Sequence, residues 1–126
     1  MIAGLLFATA VGFCTPQATV SPAEAVDRYI SAYNAHDLNA IQETYTENVR
    51  VHVWREGGES DSYQITDVVR GIGQFYQENP QVQVAASQRA LLGNRVAQVE
   101  TYTTDSEALV IYTVIEGCVV ARDTYW

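Results

Sequence analysis

Residues 29–54 read YISAYNAHDLNAIQETYTENVRVHVW, and their patterning decides the architecture. The first part closes an amphipathic helix. Ala25, Tyr29, Ile30, Ala32 and Tyr33 mark its apolar stripe, while Asp27, Arg28 and Ser31 fall opposite. The helix fades near His36, whose charge would complement its C-terminal end. Asp37 then caps a second short helix, Leu38 to Tyr45, with Leu38, Ile41 and Tyr45 turned inward. From Val49 to Arg55 the chain alternates, with Val49, Val51 and Val53 on one face and Arg50, His52 and Trp54 on the other. That is the signature of a half-buried strand. Two helices followed by such a strand predict helices folded over a curved sheet that encloses an apolar pocket.

The flanks extend this reading. Upstream, Ser21-Pro22 with Glu24 three residues after the serine forms a helix start of the capping-box kind. Downstream, residues 56–62 (EGGESDS) form a polar loop, which lacks the alternating ligands and closing glutamate of a calcium loop. Thr66 to Glu78 is a third helix carrying Val68, Val69, Ile72, Phe75 and Tyr76. Gly71 and Gly73 weaken it, and Asn79-Pro80 ends it. Strands follow at Val82–Leu92, Arg95–Thr103, Ala108–Ile115 and Cys118–Trp126. Turns at Gly93-Asn94, Asp105-Ser106 and Glu116-Gly117 separate them, so the strands form an antiparallel meander. The expected class is α+β: a cone-shaped curved antiparallel sheet wrapped by three N-terminal helices.

A chain of 126 residues makes one domain, and 48% hydrophobic residues supply its core. All seven basic residues are arginine, and the net charge is -8. Such a chain repels phosphate backbones and anionic membrane surfaces, so neither nucleic acid nor membrane is an expected partner.

The start has a different character. Ile2 to Phe13 is uncharged and apolar, long enough for a signal-peptide core and too short to span a bilayer. No basic residue precedes it, and Phe13 is bulky for the position before a lipid-modified Cys14. The expectation is a leader over residues 1–22, a domain over 23–126, and a periplasmic or secreted protein. The location is cytoplasmic if the leader is not a signal. Loss of the leader would leave Cys118 as a single buried thiol. Two cysteines without a CxxC pair do not suggest a zinc site, and no metal or cofactor is expected.

The segments YISAYNAHD (29–37), 38–54, the glycine-bearing helix around Gly71–Tyr76 and the closing GCVVARDTYW (117–126) resemble the nuclear-transport-factor-2-like superfamily. This superfamily of SnoaL-like and ketosteroid-isomerase-like cones also includes scytalone dehydratase and limonene-epoxide hydrolase. The resemblance covers residues 23–126 and implies the fold far more than a function. In ketosteroid isomerases a first-helix tyrosine donates to the developing enolate oxygen, and Tyr29 falls there. Their aspartate base would match a position near Val53, and their second acid a position near Ile111 or Tyr112. General base catalysis supplies a factor of roughly 10²–10⁴, so classical ketosteroid isomerase activity is not expected.

The resemblance turns Val120, Arg122, Thr124 and Trp126 of the last strand toward the pocket. It also makes the outer sheet face, with His52 and Trp54, a homodimer surface. The expected pocket is lined by Tyr29, Tyr33, Val53, Tyr76, Tyr102, Tyr112, Arg122 and Trp126. Its expected partner is a small hydrophobic or amphipathic molecule. The alternative is a cofactor-independent isomerase, cyclase or dehydratase-like enzyme, with Tyr29 as oxyanion donor and His52 or Glu100 as base. His52 reaches the pocket only if the strand register slips by one residue. Arg122 with Glu100 either orients a ligand or forms a surface ion pair of little worth. A third reading is a dimerisation module whose cone is filled.

Overall fold

The computed structural model describes residues 12–58 and 60–126. Helix α1 (Pro22–Asn34) starts as its cap predicts, with Ser21 Oγ accepting from Glu24 N at 3.1 Å and Pro22 in the first turn. It buries Ala25, Val26, Tyr29, Ala32 and Tyr33. Val26 replaces Ile30, which is only half-buried, as the stripe's fifth member. Asp37 caps α2 (Leu38–Gln42) through Ala40 N at 3.0 Å. This helix is a single turn, shorter than expected. Thr44 N folds back to Ile41 O, and Tyr45 already belongs to strand β1 (Tyr45–Trp54).

The loop expected at 56–62 contains a strand, β2 (Ser60–Tyr63), paired antiparallel with β1 from Val51↔Tyr63 to Trp54↔Ser60. Gly57 and Gly58 turn the chain at φ 96° and 87°, a region open chiefly to glycine. The sequence SDSY carries little strand propensity, and this edge strand is held by backbone pairing that composition does not reveal.

Helix α3 (Ile65–Glu78) leads into β3 (Val84–Leu92), β4 (Arg95–Tyr102), β5 (Glu107–Ile115) and β6 (Cys118–Tyr125). The last four form the expected antiparallel meander. The sheet order is β2-β1-β6-β5-β4-β3, and β1 runs parallel to β6, so the curved open sheet is mixed at that seam. The helices cover its concave face. Asn34 ties α1 to β3, donating from Nδ2 to Val84 O (3.0 Å) and accepting from Val84 N (2.8 Å) on Oδ1.

Two bulges matter for the interior. In β6, Val119 pairs with Val114 and Ala121 with Thr113, leaving Val120 as an extra residue. Side-chain parity therefore changes there. Val119 faces the core at the narrow end, while Arg122 and Thr124 face it at the wide end. The expected uniform face Val120/Arg122/Thr124/Trp126 loses Val120 for this reason. In β3 the register shifts between Ser87 and Ala90, with Gln88 in the left-handed region at φ 53°, and this irregularity turns Arg89 toward Gln98.

The segment before α1 does not behave as a detached leader over its described part. Cys14 N donates to Tyr45 O (2.8 Å), Gln17 N donates to Glu116 O (2.6 Å), and Val20 is buried. Cys14 is disulfide-bonded to Cys118, a pairing that loss of residues 1–22 would remove. The fit at the β5–β6 turn explains Gly117. Its φ is 78°, and a Cβ there would meet Val20 Cβ at 2.8 Å. The apolar run expected to act as a signal core lies, except for Gly12 and Phe13, outside the described residues.

Candidate functional site

Between the concave sheet and the helices lies a cavity of about 550 Å³, open at the wide end of the cone. Tyr29 and Tyr33 of α1 reach it from one side, Val51 and Val53 of β1 and Arg122 and Thr124 of β6 from the sheet. Val68, Gly71, Ile72 and Phe75 of α3 form a third wall. Tyr63, Asp67, Thr104, Ser106 and Trp126 also line it.

Of the eight residues expected to line the pocket, Tyr29, Tyr33, Val53, Tyr102, Arg122 and Trp126 do so. Tyr76 and Tyr112 do not. Tyr76 lies behind Tyr33, donating its hydroxyl to Tyr33 O (2.7 Å) and stacking on His36 at 3.9 Å between ring centroids. His36 also uses its Nε2 on Val82 O at 2.8 Å, so it ties the turn after α1 to the segment before β3, beyond any effect on a helix end. Tyr112 is fully buried and donates its hydroxyl to Glu100.

His52 alternates with the inward Val51 and Val53, on the outer sheet face. There it stacks with Trp54, and Trp54 with Tyr125, at centroid separations of 6.1 and 6.0 Å. A base role in the cavity is therefore closed to His52. The pairing of β1 with both β2 and β6 locks the register that a slip would need to change.

Of the two alternatives for Arg122 and Glu100, the surface ion pair fails. Glu100 is 0% exposed, below the cavity floor, and its pair with Arg122 lies inside the cone. Its Oε2 accepts from Gln98 Nε2 (2.9 Å) and from the Tyr112 hydroxyl. Its Oε1 accepts from the Tyr102 hydroxyl (3.3 Å) and lies 3.8 Å from Arg122 Nη2. A carboxylate so engaged and fully buried stands apart from the residues that line the cavity. Gln98 in turn accepts from Arg89 Nε (2.8 Å), and Arg89 pairs with Asp27 of α1 at 2.8 Å. The chain Asp27–Arg89–Gln98–Glu100–Arg122 thus runs from the surface to the cavity floor.

Arg122 is the hinge of the site. Its Nη1 donates to the hydroxyls of Tyr29 (3.1 Å) and Tyr45 (3.2 Å). The guanidinium lies 5.1 Å from the Tyr29 ring centroid and 5.6 Å from that of Tyr112, in cation–π range. Nε is buried without a partner among the described residues. Nη2 makes no hydrogen bond among the described residues, its carboxylate neighbour Glu100 Oε1 being 3.8 Å away, and the Arg122 side chain lines the cavity. The guanidinium stays charged. Burial works against the charge, and the oxygens around it (Tyr29, Tyr45, Tyr112 and Glu100) outweigh burial and hold its pKa well above the usual value. The Tyr33 hydroxyl likewise has no protein partner among the described residues at the cavity wall.

Thr124 lines the cavity as the resemblance implied, Tyr45 is buried as its inward position implied, and Val51 joins Val53 on the inward face; sequence reasoning missed the α3 wall and the place of Gln98 in the floor. The apolar positions of α3 were legible, but their facing a cavity was not. Gln98 had one signal, since β4 alternates Val96, Gln98, Glu100 and Tyr102 on a single face, all inward.

Burial raises the pKa of Tyr29 and Tyr112 well above the usual value, and raises that of Tyr33 to about 12. The Arg122 charge offsets this only in part. Tyr45, Tyr76 and Tyr102 shift up for the same leading reason. These phenols are hydrogen-bond donors and acceptors at neutral pH, and none is a base. Each folded value exceeds the unfolded value near 10. Stability is therefore unaffected below about pH 10 and is lost as pH rises toward the folded values. Of eight tyrosines, only Tyr63 and Tyr125 are exposed. An alkaline titration followed by phenolate absorbance and circular dichroism tests the burial of the rest. The other six should ionise only together with unfolding. Eight phenolates formed with the fold intact would contradict this burial.

Among the described residues no group of three or more His, Cys, Asp and Glu could hold a metal ion, and no helix is long and apolar enough to cross a membrane. Residues 26–122 match the SnoaL-like domain family. No curated protein matches the chain. Among solved structures, an uncharacterised cystatin-fold protein from Novosphingobium aromaticivorans is 16% identical, with 82% of this chain and 97% of that one covered at a TM-score of 0.69. IdmH of Streptomyces antibioticus, a candidate polyketide cyclase, is 17% identical, with 82% and 89% covered at 0.67. A candidate ketosteroid isomerase from Kribbella flavida is 19% identical, with 83% and 76% covered at 0.63. Identities this low speak for the fold alone.

Proposed function

As the chain belongs to the SnoaL-like family, we propose that its cone binds a small amphipathic molecule, with an uncharged hydrogen-bond acceptor seated on Arg122. The observation that carries this reading is the guanidinium itself. Nη1 is spent on Tyr29 and Tyr45, while Nη2 makes no hydrogen bond among the described residues and its side chain lines a cavity that is otherwise mainly apolar. Apolar cavities with a few convergent polar groups are the usual form of small-molecule sites. Glu100 already lies beside Arg122, and Asp67 stands in the cavity wall. A carboxylate ligand would add uncompensated negative charge, whereas a ketone, ester or amide oxygen would not.

The test uses prodan, a neutral naphthyl ketone dye, together with naphthalene and naphthoate as competitors. The wild type is expected to bind the ketone more tightly than the carboxylate. In the double variant Arg122→Leu/Glu100→Leu both charges leave together, so no lone charge is stranded. Loss of a hydrogen bond to a charged donor, about 1.5–3 kcal/mol, should then weaken prodan roughly 10- to 150-fold while naphthalene is unaffected. Equal weakening of both ligands would remove Arg122 from the reading.

Cofactor-independent catalysis is the weaker reading. Tyr29 and Arg122 could stabilise charge on an oxygen. The bases considered for it, however, lie outside the cavity, His52 on the outer face and Glu100 beneath the floor. The Cys14–Cys118 disulfide supports an oxidising compartment, and with it an exported protein. The aromatic ladder His52–Trp54–Tyr125 supports pairing of two copies through the outer sheet face. Sedimentation of the wild type against Trp54→Glu tests that pairing, and an unchanged monomer mass in both would end it.

A further inference from the structure

We infer that Gly71 is a specificity-determining position, whose missing side chain sets the width of ligand that the cavity mouth admits. The inference rests on the small-molecule reading above and names which residue limits the molecule's shape.

Helix interiors rarely retain glycine without a cause, because glycine is the poorest helix former after proline. Helix α3 contains two. Gly73 has a visible reason, since a Cβ there would lie 3.1 Å from Leu38 Cδ1, on the side where α3 packs against α2. Gly71 has none of this kind. Its φ lies outside the left-handed region, and a Cβ added to it would meet nothing within 4 Å. Neither backbone conformation nor packing within the protein calls for glycine at this point.

What adjoins Gly71 is the cavity. Asp67, Gly71 and Phe75 succeed one another at four-residue spacing, so they stand in one row along α3, and all three line the cavity together with Val68 and Ile72. Gly71 is the exposed member between the half-buried Val68 and Ile72, at the mouth. The apolar residues of this wall remain half-buried although α3 is strongly amphipathic. Only Ile65 and Tyr76 of the helix are buried by the protein itself. A wall that is apolar, incompletely covered and notched by a glycine fits a ligand whose body passes over the α3 backbone at Gly71. Trp126, Tyr63 and Tyr102 lie elsewhere on the cavity lining, so the body entering there is bounded by aromatic rings as well.

The test compares the wild type with Gly71→Ala and Gly71→Leu, using prodan as a wide probe and a straight-chain methyl ketone as a narrow one. Both offer the same carbonyl to Arg122. Gly71→Ala should raise the thermal midpoint, because nothing obstructs the new methyl and helix propensity improves. Gly71→Leu should weaken prodan about tenfold or more, within the range by which pocket shape discriminates ligands, and leave the straight-chain ketone unchanged. A lowered midpoint in Gly71→Ala would mean that the glycine serves the fold, and would overturn the proposal. Equal prodan affinity in the wild type and Gly71→Leu would also overturn it while leaving the binding reading intact. Failure of the wild type to bind either probe would overturn the binding reading and this proposal with it.

Discussion

Glu100→Ala is expected to cost about 3–5 kcal/mol of folding stability, the range for removing one partner of a buried ion pair. The side chain is fully buried and accepts from Gln98, Tyr102 and Tyr112 while facing Arg122. Its removal strands three donors and leaves the guanidinium without a nearby negative charge. Arg122 retains the Tyr29 and Tyr45 oxygens, which solvate it without neutralising it. The double variant Glu100→Leu/Arg122→Leu should recover the part of the loss that comes from the lone buried charge, while the Gln98, Tyr102 and Tyr112 donors stay unpaired. Urea denaturation of the single and double variants measures this. A single variant within about 1 kcal/mol of wild type, the typical loss for any substitution, would show that the network does not carry this weight.

The second large effect is expected at the other end of the cone. Cys14 and Cys118 are separated by 104 residues. Closing a loop of that size restricts the unfolded chain by about 4.7 kcal/mol on a chain-entropy estimate. Reduction, or the double variant Cys14→Ala/Cys118→Ala, should lower the unfolding free energy by that order. It should also free the strap that Gln17 and Val20 hold against the β5–β6 turn. Ligand affinity of the reduced but folded protein should be unchanged. Cys118 begins β6, whereas the cavity is built from Arg122, Thr124 and Trp126 near its end. Denaturation with and without reductant decides the matter, and an unmoved midpoint would refute the stabilising role.

These two predictions turn on features that local pattern does not encode. Val49, Val51 and Val53 alternate because they sit on a sheet with one buried face, and that alternation is legible in the residue order alone. The caps at Ser21 and Asp37 are legible too, because a capping side chain bonds a backbone group only a few residues away. So are the turns of the meander. Partners distant in the chain are not. A period of two cannot announce that Val120 is an extra residue which reverses the facing of β6, since the bulge exists only against β5. Nor can it tell that Glu100 lies under the floor, that Tyr112 serves Glu100, or that Gln88 bends β3 to bring Arg89 to Gln98. The edge strand β2 exists only because β1 offers it a backbone to pair with.

The α+β class, the helix starts, the inward valines and the presence of Tyr29, Tyr33 and Arg122 at a cavity were legible in the residue order. Each of these follows from residue spacing or from the resemblance that spacing carries. Tertiary structure alone decided which polar groups meet in the core, which cysteines join and which wall is left open at Gly71. Burial and hydrogen bonding between distant residues depend on three-dimensional packing, and packing is a property of the whole chain at once.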